Sequence, residues 1–179
     1  MPTPPRPARR GRLPLLAVLV GLAALTACDT TNPGGNLDLV EGTYSLAELS
    51  FDPTTTDLST ANVIDVLEPG SARLTIYSDG NALLSFRRLQ GGLTRVDLRP
   101  RASRERVTLE AVRREDEDFL ADILLPPSFA LGYTGEPANT LEGSFSQSNV
   151  DLEAFDPERY QDQRSNSGQL SVRFERVTP

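Results

Sequence analysis

The sequence predicts an all-β domain, an up-and-down antiparallel barrel of about eight to ten short strands. Three observations predict it. Beyond residue 40, apolar and polar residues alternate with period 2 in one segment after another. Turn-forming residues punctuate those segments, and no long helical repeat stands out. A meander of this kind closes into a barrel or folds into two packed sheets, so a two-sheet β-sandwich is the alternative. A barrel of about eight strands fills its interior with side chains or holds one small ligand; a filled interior is the expectation here.

The first strand spans Val40 to Phe51, with Tyr44 and Leu46 on one face. Leu49 and Phe51 are out of phase with them, which places a bulge near Ala47-Glu48. Asp52 to Asn62 is polar and turn-prone, Val63 to Leu67 is a short apolar run, and Pro69-Gly70 is a turn. Ala72 to Tyr77 then pairs with Ala82 to Leu89 across Ser78-Asp79-Gly80-Asn81, where Asp-Gly supplies positive φ. Gln90-Gly91-Gly92 turns the chain into Leu93 to Leu98, and Val107, Leu109 and Ala111 alternate in the next strand.

Arg113 to Asp118 reads as a charged turn, with Phe119, Ala121, Ile123 and Leu125 forming a strand across it. Pro126-Pro127 ends that strand, because proline cannot donate to a ladder. Ser128 to Tyr133, Thr140 to Ser146, Val150 to Phe155 and Gly168 to Val177 complete the set. Asp156 to Asn166 is the best place for a short helix.

The chain opens differently. Arg6, Arg9, Arg10 and Arg12 precede the apolar stretch Leu13 to Leu25, which is too short for a permanent membrane span. Leu25-Thr26-Ala27-Cys28 follows. This quartet resembles the lipobox of bacterial lipoproteins. The resemblance implies a signal peptide over 1–27, cleavage before Cys28, and a lipidated Cys28 as the new N-terminus. It also implies an extracytoplasmic protein of the cell envelope, anchored by lipid to the inner or outer membrane. Asp29 to Asn36 is polar and rich in Gly and Pro, so residues 28–39 read as lipidated cysteine and flexible tether, and 40–179 as the β domain.

Gly42-Thr43-Tyr44 resembles the Gly-x-aromatic opening of lipocalins. In that family an arginine near the last strand packs over the aromatic at the closed end of the barrel. The resemblance therefore implies a lipocalin-like barrel in which Arg173 or Arg176 lies beside Tyr44. It also implies a small apolar or amphiphilic ligand, whereas the β-sandwich alternative implies a structural or protein-interaction module of the envelope.

Composition excludes much else. The chain has no His, no Lys and no Trp, and Cys28 is its only cysteine. Ser-His-Asp, Cys-His and HExxH sites cannot be built, and neither can a Schiff base or an intrachain disulfide. Carboxylate pairs are plentiful but carry no glycosidase motif, so the domain is expected to be non-catalytic, with no cofactor. Residues 28–179 hold 14 Arg and 25 acids, a net charge of −11. That balance disfavours nucleic acid and gives no electrostatic reason to bind an anionic bilayer, which leaves lipid on Cys28 as the membrane attachment.

Glu115-Asp116-Glu117-Asp118 could gather calcium, but it lacks the spacing and glycine of an EF-hand loop, so four solvated acids are expected. Asp151 to Asp162 reads the same way. Tyr44, Phe86, Phe119, Phe129, Phe145 and Phe174 form the candidate ligand pocket or, packed solid, the core.

Overall fold

The computed structural model describes residues 36–55 and 57–178. The expected signal peptide, the expected lipidation site Cys28 and most of the expected tether lie outside the described residues. Residues 37–39, expected as the end of a flexible tether, instead belong to a helical turn, α1 (Leu37–Val40), whose Leu37 and Val40 are buried, so the folded domain begins before residue 40.

Nine strands follow: β1 (Gly42–Pro53), β2 (Ala61–Asn62), β3 (Arg73–Ile76), β4 (Ala82–Arg87), β5 (Leu93–Ala102), β6 (Arg106–Ala111), β7 (Ser128–Thr134), β8 (Thr140–Val150) and β9 (Asn166–Arg176). Each strand from β3 to β8 pairs antiparallel with the next, β1 pairs with β3, and β9 returns to pair with β1. Eight strands thus close a ring, and β2 adds a short ninth against the end of β1. Sequential neighbours and the β1–β9 seam make this a lipocalin-like up-and-down barrel; a two-sheet sandwich would need crossings between sheets that are not present.

The expected bulge is found. Leu46 pairs with Phe174 and Glu48 with Arg173, so Ala47 is the extra residue. One inserted residue reverses the phase of the strand, and this is why Tyr44 as well as Leu49 and Phe51 can face the core. Asp79-Gly80 makes the β3–β4 turn with Gly80 at φ 85°.

Three local expectations are overturned. Arg114–Ala121 is a helix, α2, where a charged turn and a strand were expected. Alternation misled there: Asp116, Leu120 and Ile123 are the buried positions, at helical spacing. The second is Leu152–Phe155, which forms a helical turn, α3, capped by Asp151 Oδ1 on the Ala154 N–H at 2.8 Å, so the expected strand Val150 to Phe155 stops at Val150. Third, Asp156 to Asn166 is not helical; it is a run of turns leading into β9. In addition, Val63–Val66 is a 3-10 turn.

One end of the barrel is shut by α1. Tyr44 donates its hydroxyl to Val40 O at 2.8 Å, and the Arg176 guanidinium stands over the Tyr44 ring at 4.9 Å. Arg176 Nη2 donates to Tyr44 Oη and to Glu41 O, each at 2.8 Å, and Nε donates to Ala138 O. Arg176 thus takes the place beside Tyr44; Arg173 lies on the outer face near Glu48. Gly42 is obligatory for this arrangement, since it sits at φ 145° and a Cβ there would collide with the Arg176 guanidinium.

The opposite end is covered by the 3-10 turn, α2, the β4–β5 turn and α3. Leu120, Ile123, Leu124, Leu125, Leu152 and Phe155 from these connections are buried in the same cluster as the strand residues. The core runs from Leu37 to Phe174 among the described residues, so a chain that starts at residue 28 carries every one of these side chains.

Candidate functional site

The barrel wall is split between β7 and β8. These strands pair only through Gly132–Thr134 against Thr140–Glu142. Ser128 to Leu131 remain paired to β6, and β8 stays paired to β9, but the two runs have no ladder to each other. Where they part, a Cβ on Gly143 would lie 2.9 Å from Ala130 O, so only glycine fits. Further along, the Phe129 and Phe145 rings meet at 6.4 Å, and Gln147 Nε2 donates to Leu124 O at 3.0 Å. Side chains, in place of backbone ladders, hold the split together.

Over its wide end lies a cleft of about 450 Å³. Ala121, Asp122 and the run Leu124 to Pro127 form one wall, Gln147 to Asp151 the other, and Ala154 and Phe155 close it. That volume falls in the range that accepts a small organic molecule. Its lining is mostly apolar, with the amides of Gln147 and Asn149, the Ser148 hydroxyl and the carboxylates of Asp122 and Asp151 as its polar groups.

Left-handed backbone sits on both walls, and at Leu124 it is strained. Leu124 has φ 61° and Asn149 φ 60°. Leu124 occupies the position after α2 where a glycine is usual: its N–H donates to Ala121 O and the Leu125 N–H to Leu120 O, each at 2.9 Å. The leucine is tolerated because its side chain is only 5% exposed. Asn149 lies in the irregularity of β8 between Gln147 and Val150, and asparagine is one of the few residues that takes a left-handed backbone readily.

A second, smaller cleft of about 280 Å³ shares Phe155 and is lined also by Val66, Arg88 and Leu89. Arg88 ties the region together. It lies 5.8 Å over the Phe155 ring, and donates to Phe155 O at 2.8 Å and to Asp122 O at 3.3 Å. The ends of α2 and α3 are thereby fixed to the β4–β5 turn.

One acid of the α2 run serves structure; Glu115, Glu117 and Asp118 are exposed as expected. Asp116 is fully buried; it accepts from the Asp97 N–H at 3.1 Å and from the Arg113 N–H and Nε at 3.0 Å each. Burial, the largest single effect, pushes its carboxyl up. The hydrogen bonds and charge of Arg113 and the Asp97 N–H together outweigh that, and hold it below the ordinary carboxylate value. The expectation of four solvated acids is corrected at this residue. Among the described residues, no group of three or more His, Cys, Asp or Glu side chains is placed to hold a metal ion.

Of the six aromatics read as pocket or core, Tyr44, Phe86, Phe129 and Phe174 are buried in the barrel. Phe119 and Phe145 are partly buried against the same cluster. None of the six lines either cleft. The aromatic that does is Phe155, which sequence reading placed in a strand.

No family model matches the chain, and no curated protein matches it in sequence. The solved structures similar in fold include two from Bacteroides. One is a lipocalin-like protein from Bacteroides uniformis, 11% identical, covering 78% of this chain and 99% of that one with a TM-score of 0.43. The other is an uncharacterized protein from Bacteroides eggerthii, 8% identical, covering 76% and 98% with a TM-score of 0.41.

Proposed function

We propose that the protein is a lipid-anchored, non-catalytic component of the bacterial cell envelope that binds a small amphiphilic molecule in the cleft beside the β7–β8 split. The anchor rests on the lipobox-like quartet ending at Cys28. The binding reading rests on one observation above all: left-handed Leu124 and Asn149 both line a cleft of about 450 Å³. Strained backbone persists where the surroundings hold it in place, and such residues gather at binding sites. An acyl or aromatic group would lie against Leu125, Pro127 and Phe155, with its polar end among Gln147, Ser148 and Asn149.

This moves the ligand from the barrel interior, where the six aromatics would have held it, to the barrel end. Native mass spectrometry of the chain from residue 28 carrying Cys28→Ser tests it, with palmitate and lysophosphatidylcholine as probes. One added ligand mass is expected, and Ala154→Trp should abolish it by filling the cleft from its exposed side. A clean apo mass with both probes, or an adduct that survives Ala154→Trp, would sink the cleft reading.

A further inference from the structure

The net charge of −11 conceals a division. Residues 68 to 114 hold ten of the 14 Arg beyond residue 28 but only five acids, a surplus of five positive charges. The remainder holds four Arg and 20 acids. Topology concentrates the surplus further, because this stretch contains β3 to β6, four adjacent strands, and their outward positions repeat arginine.

Arg73, Ser85 and Arg95 form one row across β3, β4 and β5, by their register. The next row toward the β4–β5 turn pairs Arg87 with Leu93. Glu68 meets Arg87 at 3.3 Å, Glu110 meets Arg101 at 3.5 Å, and Asp97 is taken by Arg113 at 2.9 Å. Arg73, Arg95 and Arg99 pair with no carboxylate among the described residues.

The tip of the same hairpin carries two leucines in water. Leu89 is 62% exposed and Leu93 48%. Neither has a core to join, and each is flanked by arginine in sequence or register. Exposed apolar side chains at the end of a face of unpaired arginines, with Arg95 two residues from Leu93, match a surface that is anionic outside and apolar just beneath, which is an anionic lipid bilayer. An acidic protein would match the arginines alone. The chain also enters the barrel beside this face, since Leu37 shares a surface depression with Arg99, Pro100 and Arg101.

We infer that the outer face of β3 to β5, led by Leu89 and Leu93 at the hairpin tip, docks directly on anionic lipid. The barrel then lies on its side, with the basic strands toward the bilayer and the acidic strands away from it. This contact does not depend on lipid at Cys28.

The test is vesicle co-sedimentation of the chain from residue 28 with Cys28→Ser, which removes the anchor and isolates the surface. Vesicles of two parts phosphatidylcholine to one part phosphatidylglycerol are compared with pure phosphatidylcholine. Binding is expected only to the anionic vesicles, falling about five-fold for each of Arg73→Gln and Arg95→Gln and falling again with added salt. Leu89→Ser with Leu93→Ser should weaken it too, whereas Arg164→Gln on the β8–β9 connection should not. All these positions are exposed, and unchanged thermal melts confirm the fold. Equal binding to both vesicle types, no binding to either, or insensitivity to the arginine and leucine variants would overturn the inference. So would retention on immobilised polyglutamate without vesicle binding, which would assign the face to an acidic protein.

Discussion

Asp116 carries its charge where none of its surface meets water, and it does so because every lone-pair direction is met. Arg113 supplies side-chain and backbone donors, and the Asp97 N–H, otherwise free where β5 runs past the end of β6, supplies another. Removing the charge leaves those donors short of acceptors, so Asp116→Asn should cost about 2 kcal/mol at neutral pH. The folded-state value is depressed, so the stability it confers is full above the unfolded value near 3.9. It is lost as pH falls through the lower folded value. Urea denaturation at pH 7 and pH 3 should therefore show a smaller acid loss in Asp116→Asn than in the native chain. An equal loss in both would mean that Asp116 does not carry this acid sensitivity.

Elements differ in how plainly the sequence announces them. The strands β1, β3, β4, β6 and β7, the first part of β5, the start of β8 and β9 from Gly168 onward are legible because alternation and turn chemistry agree, and even the Ala47 bulge shows as a phase change. Helix α2 was hidden because Phe119, Ala121, Ile123 and Leu125 alternate like a strand, while the helical signal, Asp116 to Leu120 to Ile123, begins at an acid. The cleft was hidden for a different reason. It exists because β7 and β8 diverge after three residue pairs, a non-local event with no local code. Its one readable trace is negative: the β7–β8 segment contains Gly143, the only residue type that fits there. The end of α2 offers a test of strain. Leu124→Ala keeps the left-handed backbone and loses the buried side chain; Leu124→Gly loses the same side chain but relieves the backbone, by about 1 kcal/mol. Denaturation should rank native above Leu124→Gly and Leu124→Gly above Leu124→Ala. The reverse order of the two variants would show that the backbone there is not strained.

At the scale of the whole molecule, closure decides what a sum cannot. Composition alone made the domain an acidic body with no affinity for an anionic surface, yet closing the sheet in strand order places β3 to β6 side by side and turns a run of sequence into a face. The two membrane contacts proposed then act on different terms. Lipid on Cys28 would supply buried acyl chains, which salt does not screen; the arginine face would supply charge, which salt does. Cys28→Ala separates them in the cell. The native protein is expected to incorporate labelled palmitate and to stay with membranes in high salt. The variant should incorporate none and should leave the membrane fraction more readily as salt rises. Label that persists in Cys28→Ala, or a native protein that takes up none, would remove the anchor while leaving the arginine face to be judged by its own vesicle assay.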